Sequence, residues 1–493
     1  MRKACHRIPP VVLFAAVASL PAFAAHEESI SDFRSVNGES PFICVGEVFR
    51  GTGNAADFDV SVENGYYVHD PGSPHHYLFF TGRNVAQDPV WYLVGYAKSD
   101  NAFGPYKTVR RLTELEDGGV KSLSNVCVVK DGATWNIFHD SVLGYIGTTP
   151  ALIRYAETAD LEGTWTPRGV ALGTGAKGRF DDNYLIDTRV VHDGTQWRHY
   201  YTSPRNVFDT TRAQGCAVSD DLVHWRRVSE DPMLDSDIEG LAIFPYGGRW
   251  VLMGCGPSYT PGPVPFRTKI YESADGLTDW RLVSTGEDFD CPDLCPGTFN
   301  FNRTEDGLPF VIVSQTGRDK LDPQPMMLAL LATVPERGAE LLVAKASFHS
   351  KSAEMSDSAE VLHTFADGRL RFWVRLRGVG EGGAACVYVR RPALQDKRGG
   401  ARGYRFEIDT ARMRILSETG ALASADVSSP TGGWTACEIV CAGNDLTFRR
   451  YDAPFTTLLS EVAATSPDYV AGSIAIGTRN ADAEFARVEV FAR

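Results

Sequence analysis

Four stretches of the sequence each begin with a polar residue that leads into a short apolar strand. They are DVSVENGYY from Asp59, NVCVVKDGATWNIFH from Asn125, DTRVVHDGTQWRHYYT from Asp187 and EGLAIFPYGGRWVLMG from Glu239. Two carboxyl groups that face one glycosidic bond can hydrolyse it, because one protonates the leaving oxygen while the other attacks or activates water. Crowded negative charge raises the pKa of the acid towards the working pH. Three acids at one repeated position therefore predict glycoside hydrolysis by Asp59, Asp187 and Glu239.

Each of these acids also has a structural interpretation, because an aspartate before a strand often only forms a turn. Neighbouring acids offer alternative site residues, although they lie two or more residues away from the repeated position: Asp57, Asp181, Asp182 and Asp237. Asn125 occupies the fourth repeated position, and we expect it to contact the substrate.

A repeat of the chain determines where these residues meet. A second kind of stretch alternates with the first and often ends in Trp, as in IRYAETADLEGTW, GCAVSDDLVHW and KIYESADGLTDW. Asp-Gly and Asn-Gly between apolar runs indicate hairpins. Four short strands in a radially repeated unit form a propeller blade. The five alternations predict a five-bladed β-propeller over about residues 40–335, whose innermost strands surround a central channel. The acids that open those strands should converge at one mouth of the channel.

The pattern changes after Thr333. PERGAELLVAKASF is predicted to be a connector, and in LRFWVRLR apolar residues alternate with polar ones as in a half-buried strand. GYRFEIDT, ACEIVCAG, SIAIGT and ARVEVFAR add further strands. The fold class is therefore all-β, with a concanavalin-like or jelly-roll β-sandwich over 346–493 following the propeller. We expect the sandwich to pack on the propeller and either to stabilise it or to extend its contact with glycan.

The beginning of the chain predicts export. In residues 1–25 a positively charged start precedes an apolar run and the small-residue motif Ala22-Phe23-Ala24, which is typical of a signal peptide. The apolar run is short for a membrane anchor. The protein is therefore expected to be secreted or periplasmic, with no membrane span. Cys291 and Cys295 flank a short loop and could form a disulfide.

Charge and motifs exclude several classes of function. The chain has 49 Lys and Arg against 62 Asp and Glu, a formal net charge of −13. An acidic surface repels phosphate backbones, so a nucleic-acid partner is not expected. The sequence contains no Gly-rich phosphate loop, HExxH motif or nucleophile elbow, and we expect neither a metal nor a cofactor. The expected partner is an oligo- or polysaccharide, and the oligomeric state stays open.

The motifs resemble those of the five-bladed propeller glycoside hydrolases of families 32, 43, 62, 68 and 117. Asp59-Val60-Ser61-Val62 is similar to the DPSV-like opening of family 43, Ile186-Asp187-Thr188 to its IDP motif, and Glu239-Gly240 to its EGP motif, each without the proline. IFPYGGRWVLM resembles the family 32 stretch that follows its acid, although the Cys and the NDPNG opening of that family are missing. The resemblance covers the propeller.

The resemblance implies a role for each acid. Asp59 would be the nucleophile or base, Glu239 the general acid, and Asp187 the residue that holds sugar hydroxyls and tunes Glu239. The C-terminal domain resembles the family 66 carbohydrate-binding modules. This domain order favours an exo-acting enzyme on terminal furanosyl residues, of the β-fructofuranosidase or fructan hydrolase type. The alternatives are an inverting arabinofuranosidase or xylosidase, a non-catalytic glycan-binding protein and a sialidase-type propeller. Whether the enzyme retains or inverts the anomeric configuration stays open.

Further residues are candidates for contact with the sugar. Arg83 and Arg205 occur at matching places, in TGRN and SPRN, and could bind hydroxyls or neutralise the carboxylates, with salt bridges as the structural alternative. Trp91 and Tyr201 could stack on a sugar ring, with packing between blades as the alternative.

Overall fold

The computed structural model describes residues 26–36, 40–54, 56–84, 91–120, 122–142, 150–204, 212–256, 267–285, 296–315, 325–349, 356–391, 403–428, 432–452, 455, 457–469 and 471–491. These residues form strands almost throughout, with two short 3-10 helices at Ile30–Phe33 and Thr113–Gly119. In the described part of the chain, no helix is long and apolar enough to cross a membrane. The predicted signal peptide, 1–25, lies outside the described residues.

Four sheets of consecutive antiparallel strands follow the first strand, β1 (Phe42–Arg50). Blade I contains β2 (Ser61–His69), β3 (His76–Asn84), β4 (Trp91–Ser99) and β5 (Lys107–Arg111). Blade II contains β6 (Ser122–Asp131), β7 (Thr134–Val142), β8 (Ala151–Thr158) and β9 (Thr166–Leu172). Blade III contains β10 (Ile186–His192), β11 (Trp197–Pro204), β12 (Arg212–Ser219), β13 (Arg226–Arg227) and the additional short β14 (Leu234–Asp235). Blade IV contains β15 (Glu239–Tyr246), β16 (Arg249–Gly256), β17 (Arg267–Ser273) and β18 (Arg281–Ser284).

The fifth blade closes the ring. Its strands are β19 (Pro296–Arg303), β20 (Pro309–Gln315) and β21 (Pro325–Leu331), and β1 from the beginning of the chain pairs with β21 as the outermost strand. This pairing joins the two ends of the propeller and covers a sheet edge that would otherwise be open. Apolar side chains fill the spaces between blades, as where Phe79 of blade I meets Trp165 of blade II edge to face at 5.9 Å. The predicted five-bladed propeller is confirmed.

The second domain contains ten strands: β22 (Ala339–His349), β23 (Ser356–Phe365), β24 (Gly368–Arg391), β25 (Tyr404–Ile408), β26 (Arg412–Ser417), β27 (Gly420–Asp426), β28 (Trp434–Ala442), β29 (Asp445–Tyr451), β30 (Leu458–Thr465) and β31 (Gly472–Phe491). The long strands β24 and β31 pair with each other and run through two layers. In the first layer they join β22, β28, β29 and β30, and in the second β23, β25, β26 and β27.

The two layers enclose one apolar core that includes Phe372, Phe406, Phe448 and Phe485. The predicted all-β fold class, a propeller followed by a sandwich, is therefore confirmed. β22 lies within the segment that the sequence suggests is a connector, and it begins before the predicted start of the domain at 346.

The first layer of the sandwich packs on the propeller. Trp373, Trp434 and Ala486 belong to the same buried apolar cluster as Ile43 and Val48 of β1. The two domains therefore share an apolar interface, as the sequence analysis expects.

Candidate active site

A bulge in the innermost strand of blades I to IV gives each strand the same local shape. The pairing of each inner strand with its neighbour skips two residues, between Glu63 and Tyr66 in blade I and between Glu239 and Ala242 in blade IV. The first skipped residue is Asn64, Asn125, Asp187 or Gly240, with φ of 56°, 49°, 59° and 68° respectively. Asn, Asp and Gly are the residues that accept this left-handed conformation most readily. Such bulges re-aim side chains next to a site.

A chain of hydrogen bonds links the bulges of neighbouring blades. The Asn125 backbone N–H donates to Thr81 Oγ1 at 3.2 Å, and Asn125 Nδ2 donates to Asp140 Oδ2 at 2.6 Å. The Asp187 backbone N–H also donates to Asp140 Oδ2, at 3.0 Å. The Gly240 backbone N–H donates in turn to Asp187 Oδ2 at 3.0 Å. These hydrogen bonds thus join blades I, II, III and IV and bring the predicted residues Asn125 and Asp187 together with the bulge beside Glu239.

Two glutamates occupy equivalent positions directly before the bulges of blades I and IV. Glu63 Oε2 accepts a hydrogen bond from Arg83 Nη1 at 3.1 Å. Glu239 Oε2 lies 2.8 Å from Arg212 Nη2. The Arg83 guanidinium also lies over the Tyr92 ring, 5.3 Å from its centroid. Both carboxylates are largely buried and have a cationic partner, which places the predicted residue Arg83 in the site.

The pKa of Glu239 is raised from 4.5 to about 8, mainly because burial disfavours the charged carboxylate. The charges of Asp187, Asp237 and Glu63 raise it further, and the Arg212 guanidinium acts in the opposite direction. Glu63 of blade I is therefore close enough to affect Glu239 of blade IV. At neutral pH Glu239 holds a proton that it can donate.

Asp140 is a site residue that the sequence analysis missed. It is buried in β7, and burial together with the Asp187 charge raises its pKa well above the usual range. Burial thus favours the protonated form of this carboxyl, while its Oδ2 accepts two hydrogen bonds. Polar or thiol residues pair with the position before each bulge: Thr81, Asp140, Thr202 and Cys255. This pattern depends on strand pairing and is not visible in the sequence alone.

Arg189 supplies a buried positive charge beneath the acids. It follows the bulge of blade III, and its Nη1 donates to the Thr188 carbonyl oxygen at 2.7 Å. Its guanidinium lies 5.7 Å from the centroid of the Tyr66 ring of blade I. The Arg189 charge lowers the pKa of Asp140 in part, although burial prevails. It therefore compensates some of the negative charge of the cluster.

Asp59 has a hydrogen-bond partner on the outermost strand of its blade. It precedes β2, is 2% exposed, and accepts a hydrogen bond from Thr108 Oγ1 of β5, the outermost strand of blade I, at 2.6 Å. The blade I residues equivalent to Glu239 and Gly240 are Glu63 and Asn64. Asp59 and Glu239 match by the start of the apolar stretch in the sequence, whereas the blades of the fold match by the bulge.

The other predicted contact residues have different surroundings. Tyr201 is buried against Gly215, and its hydroxyl donates to Asp181 Oδ2 at 2.9 Å. The hydroxyl is thus bound within blade III. Trp91 begins β4, but its side chain lies outside the described residues, as does all of Arg205.

The site was also predicted without a metal, and some cysteines were candidates for a disulfide. Cys44 is disulfide-bonded, whereas Cys291 and Cys295, which the sequence suggests could pair, lie outside the described residues. Among the described residues, no group of three or more His, Cys, Asp or Glu side chains is arranged to hold a metal ion.

No protein-family model and no curated protein matches the chain. Solved structures do match. A family 117 glycoside hydrolase of the marine bacterium Zobellia galactanivorans has 14% identity, covers 58% of this chain and 89% of its own, and gives a TM-score of 0.46. A family 32 β-fructofuranosidase of Bombyx mori has 11% identity, matches over 94% of this chain and 94% of its own, and gives a TM-score of 0.44. The xyloglucan PUL GH43B protein of Bacteroides ovatus has 12% identity, covers 90% of this chain and 98% of its own, and gives a TM-score of 0.39.

These neighbours belong to families named in the sequence resemblance. At such identities a likeness concerns the fold alone, and the sheet pairing of this chain establishes its fold independently.

Proposed function

We propose that the chain is a glycoside hydrolase in which Glu239 is the general acid. The observation that carries this proposal is the raised pKa of Glu239, about 8, in a cluster with the Glu63 carboxylate of blade I. A carboxylic acid that keeps its proton at neutral pH can protonate the leaving oxygen of a glycoside.

Glu63 is the proposed second carboxylate, acting as nucleophile or as the base that activates water. It replaces Asp59 in this role, because the Asp59 carboxylate is bound to Thr108 of the outermost strand. Glu63 occupies the position in blade I that Glu239 occupies in blade IV, and Arg83 compensates its charge.

Asp187 is the proposed positioning residue. Its backbone and its carboxylate are both fixed by hydrogen bonds to neighbouring blades. A fixed carboxylate beside the acid can accept hydrogen bonds from sugar hydroxyls, which align the substrate for attack.

The finer proposal is an exo-acting enzyme that removes terminal furanosyl residues. It rests on the sequence motifs and the domain order, and an arabinofuranosidase or a xylosidase is the alternative within the same class. We also propose that the chain is exported, on the basis of the leader-like segment and a disulfide at Cys44, since disulfides persist in oxidising compartments.

The test is turnover of aryl fructo-, arabino- and xylofuranosides and xylopyranosides by the protein and three variants. Glu239→Gln and Glu63→Gln should each lower kcat by roughly 10²–10⁴ with the fold intact. Asp59→Asn is the matched control, because Asp59 is a buried acid whose carboxylate accepts from Thr108, and it should keep most of the activity. Loss of activity in Asp59→Asn alone would restore the role that the sequence analysis gave to Asp59.

A non-catalytic glycan-binding propeller is the second candidate. It is favoured by the arginine partners of both glutamates, because these contacts can fix a binding surface as well as a catalytic one. Binding of an oligosaccharide by calorimetry, without release of reducing sugar from any tested glycan, would identify this function.

A further inference from the structure

Three arginines surround one buried glutamate on the outer face of the second layer of the sandwich. Glu407 and Arg405 lie on β25, Arg414 on β26 and Arg479 on β31. Glu407 Oε1 lies 2.8 Å from Arg405 Nε, and its Oε2 lies 3.1 Å from Arg414 Nη2 and 3.3 Å from Arg479 Nη2. The Glu407 side chain is 0% exposed, whereas the arginine side chains are 21–28% exposed. The carboxylate is therefore the base of the cluster and the guanidiniums form its rim.

Small residues give this face the shape of a shallow trough. Ala384 and Cys386 of β24 and Ala475 and Gly477 of β31 lie between the arginines, and all four are buried. The residues that alternate with them, such as Val387, point into the core of the sandwich. The small side chains of Ala384 and Cys386 let Arg479 reach across β24 to Glu407. Tyr388 of the same strand is large and buried, and it closes the trough at the end beside Arg405, with which it pairs.

Among the described residues, the cluster has more positive charge and more donors than its acids can satisfy. Besides Glu407, Asp409 is a second acid in contact, since its Oδ2 lies 2.9 Å from Arg414 Nη2. Three guanidiniums against two carboxylates leave one positive charge, in a chain whose formal net charge is −13. The buried Nε atoms of Arg414 and Arg479 have no hydrogen-bond partner. Each guanidinium has five N–H donors, so several remain for a ligand.

We propose that this arginine cluster binds an oxyanion of an acidic glycan, either the carboxylate of a uronic acid residue or a sulfate ester. Planar guanidiniums recognise both groups through paired N–H donors. One excess charge in a trough suits one anionic group at a time rather than the continuous charge of a nucleic acid. The inference rests on the proposed function to the extent that it takes the ligand to be a glycan.

The sandwich would then hold an acidic polysaccharide while the propeller acts on it. The alternative is a purely structural ion-pair network that joins three strands of the second layer. The two readings differ in whether an anionic glycan binds.

Calorimetry on the full chain tests the proposal with oligogalacturonate, with a sulfated galactan oligosaccharide and with neutral arabinan and levan oligosaccharides. We expect one acidic glycan, or both, to bind more than tenfold more tightly than the neutral ones, with affinity falling as salt rises. Arg479→Gln should weaken this binding at least tenfold, and Arg414→Lys, which keeps the charge but loses the paired donors, should weaken it less. Arg449→Gln is the control, because Arg449 pairs with Glu438 and Glu461 in the first layer.

Several results would overturn the proposal: equal affinity for neutral and acidic glycans, no binding of either acidic glycan, unchanged binding in Arg479→Gln, or equal binding of duplex DNA. Circular dichroism of each variant separates loss of binding from loss of fold. The Glu239→Gln variant should bind the acidic glycan normally. Binding by this cluster therefore succeeds or fails independently of hydrolysis by the propeller.

Discussion

The backbone N–H of Gly240 donates a hydrogen bond to the Asp187 carboxylate at 3.0 Å and thereby joins the innermost strands of blades III and IV. Gly240 directly follows Glu239, so the same bond sets the position of the proposed acid relative to Asp187. Asp187 is fixed from the other side as well, because its own N–H donates to Asp140. Such a doubly fixed carboxylate is suited to orienting a substrate, since little reorganisation is needed when the substrate binds.

The first prediction concerns Gly240→Ala. Gly240 has a φ of 68°, and a Cβ at this position would collide with the Gly297 carbonyl oxygen of blade V. The left-handed conformation alone costs about 1–3 kcal/mol for a residue with a side chain, and the collision adds to it. We expect a lower Tm and a much reduced kcat, measured by thermal unfolding and by turnover.

Gly248→Ala is the matched control for that substitution. Gly248 has a φ of 71° in the same blade, but no atom lies within 4 Å of the added Cβ. It should lose stability through backbone strain only and keep its activity. Equal effects of the two substitutions would show that the contact between blades IV and V does not position Glu239.

The second prediction concerns pH. Because the pKa of Glu239 is about 8, kcat/KM should fall on the alkaline side with a midpoint near pH 8, as the acid loses its proton. Arg212 lowers this pKa, so Arg212→Gln should move the alkaline limb to higher pH whatever its effect on the rate. Arg226→Gln, an exposed arginine of the same blade, should leave the limb in place.

The same group makes stability depend on pH. The folded state holds the Glu239 proton more tightly than the unfolded state, where the pKa is 4.5. Its contribution to the free energy of unfolding is therefore fully present below pH 4.5 and is lost as the pH rises towards 8. Denaturant titrations at several pH values should show this loss in the wild type but not in Glu239→Gln. A parallel pH dependence in both proteins would argue against a raised pKa.

The architecture could be predicted from the sequence because each blade repeats the same pattern of apolar strands and turns. The closure of blade V could not, because β1 pairs with β21 across almost the whole propeller and no local pattern of residues 42–50 indicates that partner. The segment predicted to be a connector contains β22 instead. Its strand character could not be predicted, because it depends on the pairing of β22 with β31.

Part of the proposed site could be predicted as well. Asp187 and Glu239, whose charges interact in the structure, were named because each lies at the beginning of an inner strand. Glu63 was missed because its equivalence to Glu239 depends on the bulge, and a bulge is visible only through the pairing of two strands. Asp140 was missed because it lies on the second strand of blade II, whereas the repeated polar position lies on the first strand of each blade.

The third prediction separates the two functions of the Asp140 side chain. Asp140→Asn keeps an oxygen that can accept from Asn125 Nδ2 and from the Asp187 N–H, and it is uncharged, the form that burial favours for the Asp140 carboxyl. It should retain stability and most of the activity. Asp140→Ala leaves two buried donors without an acceptor, at about 1–3 kcal/mol each. Chemical denaturation measures the difference, and equal stability of both variants would mean that the hydrogen-bond chain does not stabilise the ring.

The last prediction concerns the interface between the domains. Trp373 is 1% exposed, packs in the same cluster as Val48 of β1, and lies beneath the Arg487 guanidinium at 4.9 Å. Trp373→Ala should lower the free energy of unfolding by about 3–5 kcal/mol, because it removes a large buried ring and leaves a cavity. Leu458→Ala, at a side chain that is 48% exposed, is the control and should change the free energy of unfolding by less than about 0.5 kcal/mol.

Removal of all residues after Thr333 would expose the apolar patch on blades V and I and should cause aggregation, measured by light scattering. If the shortened protein stayed monomeric with an unchanged Tm and unchanged affinity for polysaccharide, the sandwich would neither stabilise the propeller nor extend its contact with glycan.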